Sequence, residues 1–255
     1  DEQLNDPFLK LRCVKIFTDG SLGARTAALT KPYTDEPSTK GILYYTPSQL
    51  ETLFERADEA GFQIAVHAIG DKAVGETLNA FKEALSRKRI AEHRHRIEHA
   101  AVLNPSLIKQ MKSLGVLVCV QPHFIVSDFW VPQRLGPERA RWTYAFKSLI
   151  KHGIRLAASS DAPVEPLSPL LGVWAAINRQ ASEERLSVEE VLRTYTIDAA
   201  YFSFEEHVKG SIEVGKYADL TVLSHNPLKA KPEKIKDIQV EMTIVGGRVV
   251  HSAHE

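Results

Sequence analysis

An α/β protein built on a parallel sheet is the fold class this sequence predicts. Two observations predict it. Short β-rich runs alternate with helical segments along most of the chain, and those runs are apolar on both faces, as buried parallel strands are. Strands that are each followed by a helix connect by right-handed crossovers. A third observation sets a boundary. After about residue 205 the texture changes to short strands joined by Gly, Asn and Pro turns.

The elements follow in order. "RCVKIFT" is the first strand candidate. Thr46-Pro47-Ser48-Gln49 reads as a capping box with proline at the first helical position, and Gly61 stops the amphipathic run "SQLETLFERADEA". Strand "FQIAVH" comes next, with a helix starting near Asp71. Strand "HRIEH" precedes a helix capped by Asn104, with Pro105 inside its start and Gly115 past its end. "GVLVCVQ" is a strand, "PERARWTYAFKSLIKHG" a single helix and "IRLAASS" a strand. A helix lies near "PLLGVWAAINRQ", and the box Ser187-Val188-Glu189-Glu190 caps another. In the tail, "GSIEVGKYADLTVL" and "VEMTIVGGRVV" read as short strands, the latter with a two-residue Gly-Gly hairpin. "KAKPEKIKD" reads as a solvated loop or short helix. Such a sheet is either doubly wound or part of a (β/α)₈ barrel. No GxGxxG follows a strand, which weakens the dinucleotide-binding option.

Composition excludes several function classes. The 255 residues suffice for one large domain, or a large one with a small one. Lys plus Arg and Asp plus Glu both total 32, so there is no basic excess for nucleic acid or an anionic membrane. No apolar run approaches the roughly 18–20 residues of a membrane span. The opening "DEQLNDPF" does not read as a secretory leader. Cys13 and Cys119 form no CxxC, so a reducing, cytoplasmic setting is the default expectation. The chain lacks an initiator Met and is expected to be part of something longer.

The chemistry is expected at polar strand ends. "IAVHAIGDKAV" stops a strand on His67, "RIEHA" stops one on His99, and "IRLAASSDAPV" stops one on Asp161. In a barrel of parallel strands, carboxyl ends face one mouth, where active sites are built. Two imidazoles and a carboxylate from separate strands suit a divalent metal such as zinc. Taken singly, each also reads as a hydrogen-bonded loop residue or a helix cap. Lys15 in "CVKIFTDG" is a further candidate, pointing inward if Cys13, Lys15 and Phe17 alternate to one side. A buried lysine made neutral by desolvation can add carbon dioxide to give an anionic, metal-bridging carbamate. The plain alternative is a lysine that reaches solvent or pairs with Asp19.

Six ordered stretches, "VKIFTDGSLGARTAAL", "GFQIAVHAIGDKAV", "RHRIEHA", "VQPHF", "SSDAPVEP" and "GSIEVGKYADLTVL", together resemble the amidohydrolase superfamily. Within it they resemble the branch that includes N-substituted formamide deformylases and proteins labelled exoenzyme regulators. The resemblance covers nearly the whole chain. It implies the C-terminal part, about strands four to eight, of a metallo-dependent hydrolase (β/α)₈ barrel over residues 1–205. Residues 206–255 then form part of a small composite β-sandwich. It further implies that His67 and His99 bind metal from the fifth and sixth strands. Asp161 of the eighth strand binds metal and moves protons. Lys15 falls where a fourth-strand lysine, often carboxylated, sits in many relatives. One or two Zn²⁺ ions are the implied cofactor. The family's first-strand HxH pair and the amino-terminal half of the sandwich have no counterpart in the sequence given. His93-Arg94-His95 does not replace that pair, because His95 and His99 lie about 13 Å apart at roughly 3.3 Å per strand residue.

The implied activity is hydrolysis of a C–N bond other than a peptide bond, in an amide, formamide or cyclic amide, by metal-activated water. His123 in "QPHF" and Asp19 and Arg25 after the first strand are candidate substrate-binding residues. Trp130 and Trp142 are candidate pocket walls, and Asp71 reads as a helix cap. The expected partner is a small amide-type substrate, with no nucleic acid or membrane. Self-association through open barrel edges is expected, with weak or no metal binding by the chain alone. Two other readings are a non-catalytic regulatory protein on the same scaffold and an unrelated doubly wound binding domain.

Overall fold

The structure, a computed structural model, describes residues 9–87 and 92–253; the polar opening stretch read above, residues 1–8, lies outside them. The strands are β1 (Cys13–Phe17), β2 (Gln63–Ala68), β3 (Arg96–His99), β4 (Leu117–Val120) and β5 (Leu156–Ala158), followed by β6 (Leu220–Leu223), β7 (Val240–Val245) and β8 (Arg248–Ser252). The helices are α1 (Pro47–Glu59), α2 (Asp71–Arg87), α3 (Pro105–Leu114), α4 (Phe124–Ser127), α5 (Val131–Ala140), α6 (Phe146–Lys151), α7 (Pro169–Asn178), α8 (Val188–Tyr195) and α9 (Ile197–Phe202). The first five strands form one sheet in the order β1-β2-β3-β4-β5, as expected of strands met in sequence with a crossover after each.

The chain divides into two compact units. The first comprises Asp1–Val118 and Val131–Thr143, the second Cys119–Trp130 and Tyr144–Glu255. In the first, β1, β2 and β3 pair in parallel, with Phe17 beside His67 and Ala68 beside His99. One face of these strands is apolar: Ile16, Ile64, Val66 and Ile97 are buried. Helices α1 and α2 supply the matching core through Leu50, Phe54, Val74, Leu78 and Phe81, with the Phe54 and Phe81 rings 4.7 Å apart.

The other face corrects the expectation of strands apolar on both sides. Cys13, Lys15, Gln63, His67, Arg96 and Glu98 stand on it, because register and period two place them together. Pairing makes that polarity tolerable. The Arg96 guanidinium donates to Glu98 Oε1 and to Gln63 Oε1, each at 2.6 Å. Burial pushes the Cys13 thiol upward, and the nearby Arg96 charge opposes it.

Local signals were reliable where a cap stated them. Thr46 and Ser187 both close complete capping boxes, and Asn104 accepts from Leu107 N–H at 3.0 Å. Gly115 ends α3 at φ 67°, the left-handed conformation glycine accepts freely. The single helix expected over residues 137–153 is instead the short helices α5 and α6. Between them, Thr143 bridges to Val102, Leu103 N–H donates to the Trp142 carbonyl at 3.2 Å, and Tyr144 turns left-handed at φ 56°. Those pairings with residues 102–103 outcompete continued helix.

In the second unit, Ser159 N–H donates to the Val120 carbonyl at 2.9 Å, joining the end of β5 to the end of β4. Strands β6, β7 and β8 form a separate antiparallel sheet, and Gly246 and Gly247 (φ 56° and 81°) make the expected tight hairpin. The strand expected over residues 210–223 shrinks to Leu220–Leu223, because Gly210 and Gly215 both sit at φ 94° and break the extended run. "KAKPEKIKD" contains a 3₁₀ turn, Pro232–Asp237. It packs on α7, where Asn178 Nδ2 donates to the Pro232 carbonyl and Lys236 Nζ lies 4.7 Å from the Trp174 ring centre.

Candidate metal centre

His67 sits in the last turn of the pleat in β2, and its backbone is pinned from β1. Thr18 donates to the His67 carbonyl twice, through N–H at 2.9 Å and through Oγ1 at 2.7 Å. Its ring is also held. Nε2 lies 2.9 Å from the Gly20 carbonyl oxygen. A carbonyl only accepts, so Nε2 carries a proton. A backbone acceptor behind the ring is the common orientation device for a metal-binding histidine.

His99 ends β3 and is 4 % exposed. Strict alternation would group it with Ile97, away from His67. Its φ of 76°, followed by 45° at Ala100, breaks that alternation. The two imidazole centres then stand 4.5 Å apart with planes at 73°. The loop beyond is fixed by Ala100 N–H donating to the Ala68 carbonyl and Val102 N–H to the Ile69 carbonyl. Two imidazoles meeting edge to face at adjacent strand ends fit part of a divalent-cation site. Among the described residues, no three His, Cys, Asp or Glu side chains come together as a full ligand set.

The other expected ligands are placed differently. Lys15 shares the His67 face but is exposed, and its ammonium lies 4.7 Å from the Phe17 ring centre. Phe17 in turn lies 5.0 Å from the His67 ring. This departs from the buried lysine expected: β1 ends the strand order, so a neighbouring strand flanks it on one side only. Asp161 belongs to the second unit, is exposed, and adopts φ 55° three residues after the end of β5.

Asp19 and Arg25, expected to touch substrate, are occupied otherwise. Asp19 is 1 % exposed and accepts from the N–H groups of Ala28 (2.8 Å), Ile69 (3.0 Å) and Gly70 (2.9 Å). Its Oδ1 also stands 3.6 Å from His67 Nε2. Burial pushes its carboxyl up to about 7, against the pull of those three N–H groups. Asp19 therefore ties the loop after β1 to the loop after β2. Gly70 is required at that tie, since a Cβ there would lie 1.9 Å from the Ala28 carbonyl oxygen. Arg25 makes a paired contact to Asp35 at 3.2 and 2.8 Å. Asp71 holds Thr30, in keeping with a structural role at the start of α2. Trp130 and Trp142 are half-buried.

His123 follows β4, and its Nδ1 meets the Glu165 carboxylate. Sequence reasoning missed Glu165, Arg96 and Glu98. The alternation of "RIEH" carried the signal for the last two. His95 lies as expected toward the amino end of its strand and takes no part in the site. It is 1 % exposed, stacks on Phe81 at 5.4 Å, and its Nδ1 accepts from Ile64 N–H at 3.1 Å.

Known proteins similar to this chain indicate its family. The chain is 38% identical over 262 residues to a putative amidohydrolase, YtcJ, of Bacillus subtilis, covering 98% of this chain and 49% of that protein. It is 29% identical over 219 residues to an N-substituted formamide deformylase of Arthrobacter pascens, covering 81% of this chain and 40% of the relative. A crystal structure of an uncharacterized metal-dependent hydrolase from Pyrococcus horikoshii superposes with TM-score 0.80 at 39% identity, over 87% of this chain and 46% of that one. The chain thus spans about half the length of the relatives it matches. The model of the amidohydrolase family itself matches residues 2–251, and the chain belongs to that family.

Proposed function

We propose that this chain carries metal-holding and proton-transferring residues of a hydrolase that cleaves C–N bonds other than peptide bonds, in an amide, formamide or cyclic amide. The observation that carries the reading is the pair of imidazoles, His67 and His99, at 4.5 Å on adjacent strand ends. The amidohydrolase and deformylase relatives support it. His67, through Nδ1, and His99 would hold the cation, with Asp161 and a carboxylated Lys15 completing this chain's share of ligands. Zn²⁺ suits two imidazoles and a carboxylate. When bound, such a cation supplies a water of lowered pKa. Asp161 accepts a proton from the attacking water and returns one to the leaving amine nitrogen. Thr18, Gly20 and Asp19 keep His67 in place and in one tautomer. On this reading the remaining ligands come from polypeptide beyond these 255 residues, the protein is cytoplasmic, and its partner is a small amide-type molecule.

The test is metal content together with hydrolysis of N-substituted formamides and cyclic amides. The 255-residue chain is expected to bind zinc weakly or below one equivalent. A longer polypeptide that also carries the family's HxH strand is expected to bind it stoichiometrically. His67→Ala should weaken that binding on the order of 100-fold or more, since even an outer hydrogen-bond partner is worth 10- to 100-fold. Unchanged zinc affinity in His67→Ala overturns the reading. Full loading without turnover of any such substrate replaces it with a non-catalytic scaffold.

The same reading extends to assembly. β1 ends the strand order, and an unpaired strand edge is a template for pairing with another chain. Sedimentation of the 255-residue chain should therefore show concentration-dependent dimers or larger species, which a strictly monomeric profile would contradict.

A further inference from the structure

Glu165 is a buried carboxylate that the reading above leaves without a task. It lies four residues beyond Asp161 and is 8 % exposed. Both of its oxygens are engaged within the second unit. Oε1 accepts from the Ser127 hydroxyl at the end of α4, and Oε2 meets His123 Nδ1. His123 and Ser127 flank one turn of helix just after β4, while Glu165 follows β5. One carboxylate thus ties together the segments that leave two neighbouring strands.

The chemistry of the pair is directional. With Glu165 Oε2 as the acceptor, the shared hydrogen sits on Nδ1 of His123. No described residue bonds the ring's other nitrogen, Nε2. His123 is half-buried, so Nε2 can meet a ligand without first losing a protein partner.

We propose that Glu165 is a positioning residue that holds His123 in the Nδ1–H tautomer, so that Nε2 accepts a hydrogen bond from an N–H of the substrate. The substrate class that follows is an amide bearing at least one N–H, selected over a fully N-substituted one. The substrate half of this inference rests on the hydrolase reading; the tautomer half does not.

Ring-nitrogen NMR of the ¹⁵N-histidine-labelled chain tests the tautomer half, at a pH well above the ordinary imidazole value of about 6.5. The wild type should show His123 protonated at Nδ1 and unprotonated at Nε2. Glu165→Leu removes the acceptor and should lose that Nδ1–H signal. Glu165→Gln keeps a carbonyl acceptor and should retain it. A wild-type Nε2–H tautomer overturns the proposal without any variant, as does an unchanged tautomer in a folded Glu165→Leu.

The substrate half is read in the extended polypeptide. Glu165→Leu should raise KM for an N-monosubstituted formamide about tenfold, the worth of one hydrogen bond, with a smaller change in kcat. The KM for an N,N-disubstituted analogue should stay within twofold. Equal losses on both substrates overturn the selectivity. If no amide is turned over at all, the hydrolase reading has failed, and the NMR result alone decides whether Glu165 positions His123.

Discussion

Asp19→Ala is expected to be among the most destabilising single changes in the first unit. It removes the acceptor shared by the Ala28, Ile69 and Gly70 N–H groups and leaves all three buried without it. Each orphaned donor costs about 1–3 kcal/mol, so a total loss of roughly 3–6 kcal/mol is expected once some water enters. Urea midpoints measure it directly. Asp19→Asn, which keeps one acceptor oxygen, should lose about half as much. The carboxyl also writes a pH signature. Burial raises it to about 7 in the fold, from 3.8 when exposed. Between those values the folded chain binds more protons than the unfolded one, so this group's contribution is complete below 3.8 and is lost as pH rises through 7. The difference in stability between wild type and Asp19→Asn should therefore shrink or invert over that window, by an amount on the order of 2–4 kcal/mol. A pH-independent difference would show that the carboxyl titrates normally.

His95 should act in the opposite sense. Burial, and secondarily the neighbouring His93, lowers its imidazole to about 3. It is neutral in the fold, with Nδ1 taken by Ile64 N–H and Nε2 3.4 Å from Asp58 Oδ1. The unfolded chain takes up the proton near pH 6.5. Its contribution is therefore complete above that value and disappears as pH falls toward 3. This predicts acid lability of up to roughly 3 kcal/mol between about pH 7 and about pH 4. His95→Gln, which keeps an acceptor for Ile64 but cannot titrate, should be about 1–2 kcal/mol less stable near neutrality and lose less on acidification. Denaturation midpoints at the two pH values decide it. Parallel loss in both proteins would place the acid sensitivity elsewhere.

Much of this molecule was legible because its signals are local. Caps at Thr46, Asn104 and Ser187, and stops at Gly61 and Gly115, declare themselves within a few residues. The site was half legible for the same reason. An imidazole at the end of an apolar run marks His67 and His99, and strand order then brings them together. What stayed hidden depends on distant partners. The Trp142–Thr143 break in the long helix exists because residues 102–103 claim those backbone groups. Asp19 reads as a pocket residue until its two oxygens are found on Ala28, Ile69 and Gly70. Glu165 reads as one more polar loop residue until His123 and Ser127 converge on it.

The left-handed backbone at residue 99 shapes how any mutagenesis of the site has to be interpreted. A bulky or branched replacement there would be penalised for its main-chain geometry before its lack of a nitrogen donor mattered. Glycine and asparagine tolerate that geometry. A saturation library at this codon would therefore rank variants first by conformational fit. Only the comparison among glycine, asparagine and histidine would isolate what the ring itself contributes.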